Sequence, residues 1–231
     1  MKKQLIILVM AAGVSLSADS ALKHHYRFDE AKMLDSAGSC HGTVSRLCQT
    51  EGLYGKALYF ARPADPKARN VFCTVSLPVP SAFFAKPFTV TLWYKPDAKN
   101  SYRDFKDLLS LGGELGPGIR LTYFYNSLFF RSGDGKKVFS MGTNSSQTVL
   151  PVNRWNQIAV VYDGETGRLY LNGVLKAEKK LKLLPGKGNL TVGTFGNGYA
   201  YPAQGALDEL KIYGKALSAV EISDAFAAEM K

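Results

Sequence analysis

Short runs of alternating apolar and polar residues, separated by glycine, proline and asparagine, follow one another along most of the chain after residue 24. In the run from Phe88 to Tyr94, Phe88, Val90 and Leu92 share one face and threonines occupy the other, the period-2 pattern of a strand with one buried side. Trp155–Tyr162 is apolar in both alternations, which predicts a central strand. Many short strands with turn residues between them predict a sandwich or jelly roll.

Turn residues predict how these strands connect. Asp163–Gly167 separates Trp155–Tyr162 from the apolar run Arg168–Leu171, which predicts a hairpin. Asn172 and Gly173 then tolerate the positive φ angles of a type I′ turn, so a further antiparallel strand should follow. Later strands are predicted at Leu190–Val192 and Ala206–Tyr213.

One helix is predicted at the end of the chain. Ser218 and Glu221 have the spacing of a capping box, and Leu217 and Ile222 are placed to form a hydrophobic staple ahead of a helix over Ala219–Met230. The predicted fold is therefore all-β, a two-sheet antiparallel jelly-roll β-sandwich with a short C-terminal helix. No composition shift divides it, so residues 19–231 are expected to form one domain.

The first 18 residues have the pattern of a signal peptide. Lys2 and Lys3 precede an apolar run, Leu5–Val14, that is far shorter than the roughly 20 residues of a membrane-spanning helix. Small residues from Ser15 to Ala18 then suit cleavage, although a buried N-terminal strand is the alternative. We expect an exported protein in the periplasm, at the cell surface or outside the cell, without a membrane span.

The basic charge of the chain bears on its partners. The formal net charge is +10, which attracts polyanions such as acidic or sulfated glycans. For an exported chain, nucleic acid is not expected as the physiological partner. Five lysines crowd together at positions 176, 179, 180, 182 and 187, and Lys180 and Lys182 are candidate ligand contacts; a solvated face is the alternative.

Three cysteines, Cys40, Cys48 and Cys73, allow one disulfide and leave one thiol over. Cys40 and Cys48 flank a short glycine-containing stretch, and this pair is favoured. Three reduced, partly buried thiols are the alternative, because spacing alone does not give geometry.

Five fragments of the chain, in order, resemble the laminin-G-like, concanavalin A-like domains found in exported bacterial proteins. The resemblance runs from about residue 24 to 226 and implies a lectin-like or glucanase-like β-sandwich. After Phe60 the chain continues with Ala61-Arg62-Pro63 where the family has Asp or Asn and Gly, so no ligand role is transferred to that turn. The fragments are Tyr26–Glu30 with Asp35–Gly38, Gly52–Phe60, Phe88–Pro96, Trp155–Gly173 and Gly205–Glu221.

Strand alternation places Asp208 on the same face as Ala206, Leu210 and Ile212, which predicts a carboxylate directed toward the core. Such a group needs a partner: backbone N–H groups, Arg27 or calcium. The resemblance implies a structural calcium ion near the first and last strands. Its predicted ligands are Asp29, Glu30 and Asp208, and hydrogen bonding of Asp208 without metal is the alternative.

Candidate ligand-stacking residues are the aromatic side chains Tyr199, Tyr201, Tyr123 and Tyr125, with core or sub-loop packing as the alternative.

Catalytic patterns are not found: the side chains of the adjacent residues Asp208 and Glu209 should lie on opposite faces of the sheet, and Asp104 and Asp107 are expected in a loop. We therefore expect a non-catalytic domain that binds carbohydrate. The alternatives are a structural or protein-interaction module of the cell envelope and a divergent polysaccharide-degrading enzyme.

Overall fold

Two antiparallel β-sheets stack face to face in the computed structural model, which describes residues 18, 20–61, 73–97, 105–113, 115–146, 148–196 and 200–230. The strands are β1 Leu22–Tyr26, β2 Thr43–Ser45, β3 Gln49–Glu51, β4 Lys56–Phe60, β5 Thr74–Leu77, β6 Phe88–Pro96, β7 Lys106–Gly112, β8 Gly118–Phe124, β9 Ser127–Gly133, β10 Val138–Gly142, β11 Asn156–Tyr162, β12 Thr166–Leu171, β13 Val174–Lys180, β14 Leu190–Val192 and β15 Gly205–Tyr213. The first sheet has the strand order β13-β12-β11-β6-β15-β4-β3, with β1 also paired to β15, and the second has the order β10-β9-β8-β7-β14-β5-β2.

The main core lies between the two sheets. Leu92 and Val160 from the first sheet and Leu121 and Phe130 from the second are each at most 1% exposed in this core. The period-2 pattern of the central strands produces it, because alternate residues of each strand face the opposite sheet. The predicted two-sheet sandwich is confirmed.

The predicted helix is present as α1, Ala219–Glu229. The Ser218 hydroxyl accepts a hydrogen bond from the Glu221 backbone N–H, and the Glu221 carboxylate accepts one from the Ser218 backbone N–H. This is the predicted capping box. Leu217 and Ile222 lie together in a second, smaller apolar cluster on the outer face of the first sheet, so α1 covers that face.

Strand β15 carries a β-bulge that changes the orientation of its acidic residues. Asp208 pairs with Trp93 of β6 whereas Lys211 pairs with Thr91, so β15 has one more residue than β6 across this interval. Leu207 and Leu210 both face the core, and Glu209 has a φ of 48°. The prediction that Asp208 shares the face of Leu210 is therefore wrong, because the bulge reverses the alternation.

The predicted signal peptide falls almost entirely outside the described residues, of which the first is Ala18. Strand β1 pairs with β15, from Leu22 opposite Tyr213 to Tyr26 opposite Leu210. Within the described ranges, no helix has the length and apolar character needed to cross a membrane.

Candidate functional site

A buried ion pair lies at the centre of the outer face of the second sheet. Ile119, Leu121 and Tyr123 of β8 face the core, so Arg120 of the same strand faces outward. The Arg120 guanidinium donates two hydrogen bonds to Asp107 on β7, from Nε to Oδ1 at 2.8 Å and from Nη2 to Oδ2 at 2.7 Å. This bidentate geometry is the strong form of an arginine–carboxylate pair.

Thr122 completes the surroundings of Asp107. Its hydroxyl donates to Oδ1 of Asp107 at 2.6 Å. Burial raises the pKa of Asp107, and the hydrogen bonds from Arg120 and Thr122 act against that rise. The carboxylate is therefore fully hydrogen-bonded by neighbours on its own sheet and is buried.

The expectation that Asp107 lies in a loop is wrong, since Asp107 belongs to β7. Asp104 is outside the described residues.

Aromatic rings surround the Arg120 guanidinium. Its central carbon lies 4.3 Å from the ring centroid of Phe195 and 5.2 Å from that of Tyr201, within the range of cation–π contacts. Phe105 stacks on Phe124 with centroids 3.9 Å apart and meets Tyr201 edge to face at 5.5 Å. We call five of the half-buried or exposed rings on this face the aromatic cluster: Phe105, Phe124, Tyr125, Phe195 and Tyr201.

Backbone contacts hold the aromatic cluster in place. The backbone N–H of Asp107 donates to the carbonyl of Tyr201 at 3.0 Å, which ties the segment after β14 to β7. Phe195 and Ala200 form an isolated antiparallel bridge that brings Phe195 and Tyr201 together. The rings are therefore presented by short, hydrogen-bonded segments.

A pocket of about 320 Å³ lies beside the aromatic cluster on the same face. Ser110 and Thr191, which face each other on β7 and β14, belong to its lining, and Lys187 is the only basic side chain among the described residues that line it. Most of the remaining wall is glycine. A Cβ atom at Gly112, which has a φ of 90°, would lie 2.1 Å from the carbonyl oxygen of Pro117, so glycine is required for the pocket wall to close there.

The second sheet is poor in acidic residues. Its seven strands contain one carboxylate, Asp107, and that carboxylate is held by Arg120. Catalysis of glycoside hydrolysis ordinarily needs two carboxyl groups on either side of the scissile bond. The strands of this face therefore do not supply that pair.

The four predicted aromatic ligands have different surroundings. Tyr201 and Tyr125 belong to the aromatic cluster, and each is 36% exposed. Tyr199 lies outside the described residues. Tyr123 is a core residue, which corrects its predicted role as a ligand contact. Its hydroxyl donates to Asn126 Oδ1 at 3.2 Å and accepts from the Leu150 backbone N–H at 3.1 Å.

The two predicted basic ligand residues belong to a different part of the molecule. Lys180 ends β13, the edge strand of the first sheet, and pairs with Glu165 at 2.7 Å while both side chains are exposed. Lys182 is exposed just beyond that strand. Neither is on the strands that carry the aromatic cluster.

Asp208 is bound by the backbone. Its Oδ2 accepts from the Leu53 backbone N–H at 2.7 Å and its Oδ1 from the Glu209 backbone N–H at 2.9 Å. Burial raises the pKa of Asp208 to about 7. Asp208 thus fixes the turn before β4, while Glu209 bonds to His25 of β1 through a 2.6 Å contact between Oε2 and Nε2.

The predicted calcium ligands do not come together. Asp29 accepts a hydrogen bond from the Lys56 backbone N–H at 2.9 Å, and the side chains of Asp29 and Glu30 are exposed, whereas Asp208 is fully buried. Among the described residues, the only group of three potential ligands with atoms within 4.8 Å of one another is His24, Asp35 and Cys40. The side chains present therefore do not fit the calcium site expected from the sequence.

The residues that sequence reasoning missed are Arg120, Phe105, Phe124 and Phe195. They come from segments up to 90 positions apart, and only strand pairing and the bridge at Phe195 bring them together. The alternation of residues in β8 could have revealed Arg120, since it places the Arg120 side chain on the other face of the strand from the apolar side chains of Ile119 and Leu121.

Comparison with known proteins identifies the class. A family model described as the concanavalin A-like lectin/glucanases superfamily matches residues 73–223. The match covers more than half of the chain, so the chain belongs to this superfamily. A search of the curated proteins gave no match.

Solved structures share the fold. Domain 4 of AbnA, an extracellular GH43 arabinanase from Geobacillus stearothermophilus, solved with arabinotriose, is 20% identical with a TM-score of 0.66, over 88% of this chain and 97% of that one. The binding domain of botulinum neurotoxin DC with SialylT is 12% identical with a TM-score of 0.69, over 92% of this chain but 52% of that one. The same toxin domain has been solved with rat synaptotagmin II at a TM-score of 0.69 and 12% identity, again over 92% and 52%. The chain thus spans about half the length of the toxin domains.

Proposed function

We propose that this protein is an exported, non-catalytic domain that binds carbohydrate through the outer face of its second sheet. The observation that carries the proposal is the aromatic cluster, fixed around the Arg120–Asp107 pair and open to a neighbouring pocket. The first 18 residues support export by their signal-peptide pattern.

The chemistry of this face suits a sugar. A sugar ring has apolar C–H faces and hydroxyl edges, so it needs flat apolar surfaces beside a few hydrogen-bonding groups. Phe195 and Tyr201 supply ring surface, and the lining of the pocket contributes polar groups such as Ser110, Thr191 and Asn189. A concave site with few, well-placed polar groups is typical of small-ligand binding.

Two further observations support the proposal. Asp107, the one carboxylate on the strands of the second sheet, already accepts three hydrogen bonds and is buried, so it is poorly placed to act as acid or nucleophile. Structures with the same fold have been solved with arabinotriose and with SialylT.

Lys187 suggests which sugars are preferred. It is the one basic residue among the described residues that line the pocket, and only two of the positive charges behind the net charge of +10 belong to the first 18 residues, at Lys2 and Lys3. A carboxylated or sulfated sugar would place its negative charge near Lys187. We therefore expect acidic glycans to bind better than neutral ones of the same length, and the preference to weaken as salt is raised.

A glycan array tests the proposal with a pair of variants. We expect the protein to bind a subset of glycans and Tyr201→Ala to lose at least about tenfold in affinity, because an exposed ring of the binding surface is removed. The control is Val220→Ala, which removes a 61% exposed side chain from α1, on the opposite side of the molecule. Silence on every glycan, with retained capture of an envelope protein, would overturn the proposal in favour of a protein-interaction module. Release of reducing ends from a polysaccharide would overturn its non-catalytic part.

A further inference from the structure

Two of the three cysteines approach each other at the place where the chain passes from one sheet to the other. Cys48 is exposed and lies between β2 of the second sheet and β3 of the first; Cys73 is buried and immediately precedes β5 of the second sheet. All three cysteines of the chain are free thiols in this structure.

Strand register fixes the neighbourhood of this pair. Strands β2 and β5 pair antiparallel, with Ser45 opposite Thr74, so continuing the register places Cys73 opposite Arg46, two residues before Cys48. The backbone of Cys48 is close enough to the Cys73 thiol to act on its pKa, which it lowers against the larger rise caused by burial. The carbonyl of Cys48 in turn accepts from the Tyr59 backbone N–H at 2.9 Å, which fixes Cys48 against β4.

Cys40 has other partners. Its backbone N–H donates to Asp35 Oδ2 at 3.1 Å, and its carbonyl accepts from the Tyr26 hydroxyl at 2.8 Å. Its sulfur lies within 4.8 Å of the ligand atoms of His24 and Asp35. Cys40 therefore belongs to the loop built around Asp35, whereas Cys48 is the cysteine that acts on the Cys73 thiol.

We propose that Cys48 and Cys73 form a disulfide once the chain reaches an oxidising compartment, and that Cys40 remains a thiol. The inference rests on the export part of the proposed function and replaces the pairing of Cys40 with Cys48 favoured by the spacing. The bond would join the residue just before β3, in the first sheet, to the residue just before β5, in the second sheet. It would therefore cross-link the two sheets.

The chemistry is thiol–disulfide exchange with a disulfide-bearing oxidant, such as oxidised glutathione or a disulfide oxidoreductase of the exported compartment. The exposed Cys48 thiolate attacks the oxidant and forms a mixed disulfide, releasing one thiol. The Cys73 thiolate then attacks the sulfur of Cys48 and releases the second. One oxidant disulfide is reduced to two thiols as two protein thiols are oxidised, and the protons of the two cysteines pass to the departing thiolates.

The environment of Cys73 sets the rate of the second step. Burial raises the pKa of the Cys73 thiol to about 11, so only a small fraction is thiolate at neutral pH. Closure should therefore speed up by close to tenfold for each unit of pH from 7 to 9.

The test uses the purified full chain, first in excess dithiothreitol and then in excess oxidised glutathione. Alkylation and mass spectrometry should count three thiols before oxidation and one afterwards, with a single cross-linked peptide pair containing Cys48 and Cys73. The oxidised chain should melt about 5–10 °C higher than the reduced chain.

Variants provide matched controls. Cys40→Ser should leave the cross-link intact, whereas Cys48→Ser, a change at an exposed position, should abolish it without unfolding the chain. A cross-linked peptide containing Cys40, or three thiols surviving in oxidised glutathione, would overturn the proposal. Because the readout is thiol chemistry, its failure is distinguishable from a failure of glycan binding.

Discussion

The outer faces of the two sheets both carry aromatic side chains, but within the described part of the chain only the face of the first sheet is covered by a helix. On the first sheet, Trp93 is 1% exposed and stacks on Phe226 of α1, with ring centroids 5.8 Å apart. On the second sheet, Tyr201 is 36% exposed and no helix lies over it among the described residues.

The difference extends to the polar groups. Glu229 at the end of α1 accepts hydrogen bonds from the side chains of Trp93, Gln157 and Lys211. These three polar side chains of the first face are therefore bonded to the helix. Arg120 and Asp107 on the second face satisfy each other and support the aromatic rings around them. The aromatic residues of the first face therefore stabilise the packing of α1, whereas those of the second face are held in a fixed arrangement in which Tyr125 and Tyr201 remain exposed.

The largest expected effect is the loss of the buried pair of the second face. Arg120→Ala leaves the Asp107 carboxylate buried and without its bidentate partner, which should lower the free energy of unfolding by about 3–5 kcal/mol. Urea denaturation monitored by circular dichroism measures it. Lys180→Ala, which removes an exposed ion pair with Glu165, is the control and should leave the midpoint unchanged. A loss below about 1 kcal/mol for Arg120→Ala would contradict the central role of the pair.

The next effect is a pH dependence that comes from the first sheet. The pKa of Asp208, raised by burial to about 7, lies above the value of 3.8 that applies without burial, so the folded state binds the proton more tightly. The contribution of Asp208 to stability is therefore full below about pH 4 and is lost as pH rises through about 7. The loss amounts to about 2–4 kcal/mol.

Thermal melting between pH 4 and 8 measures this contribution. Asp208→Asn, which cannot ionise, should melt with a flatter dependence on pH than the wild type. Equal slopes for the two proteins would show that Asp208 does not titrate in this range.

A smaller effect is expected from detaching the end of α1. Glu229→Ala removes the acceptor of Trp93, Gln157 and Lys211 and should cost about 1.5–3 kcal/mol. Hydrogen exchange should speed up in α1, while glycan binding on the other face should be unchanged. A loss of glycan binding in this variant would mean that the two faces are not independent.

The smallest effect is expected from calcium. Because Asp29, Glu30 and Asp208 do not converge, millimolar calcium or a chelator should shift the melting temperature by less than about 1 °C. A rise of several degrees with calcium, reversed by the chelator, would show that an ion binds after all.

Much of the fold follows from the sequence pattern. The predicted strand Phe88–Tyr94 lies in β6, and the predicted strand Trp155–Tyr162 corresponds to β11, which begins one residue later at Asn156. Asn172 and Gly173 have the positive φ angles of 50° and 77° that their turn requires. The capping box of Ser218 and Glu221 marks the start of α1. These features depend on neighbours within a few residues, which is why local patterns predict them.

The candidate site depends on distant residues, and the sequence predicts it only in part. The sequence predicts Tyr201 and Tyr125 as candidate ligand-stacking residues, but their partners Arg120 and Phe105 come from other strands and loops. The orientation of Asp208 could not be read either, because alternation assumes an unbroken strand and the bulge at Asp208 and Glu209 breaks it. Tyr123 and Tyr125 are equal candidates for ligand contact in the sequence, but β8 buries Tyr123 in the core and ends at Phe124, so that only Tyr125 is exposed.

Carbohydrate binding by the second sheet is tested most directly by a backbone NMR titration of the isotopically labelled protein with the tightest-binding glycan from the array. We expect shift changes to concentrate on Phe105, Phe195, Tyr201 and the strands around Arg120, and the amides of α1 to stay unchanged. Shift changes confined to α1, or to the lysines at the end of β13, would contradict it.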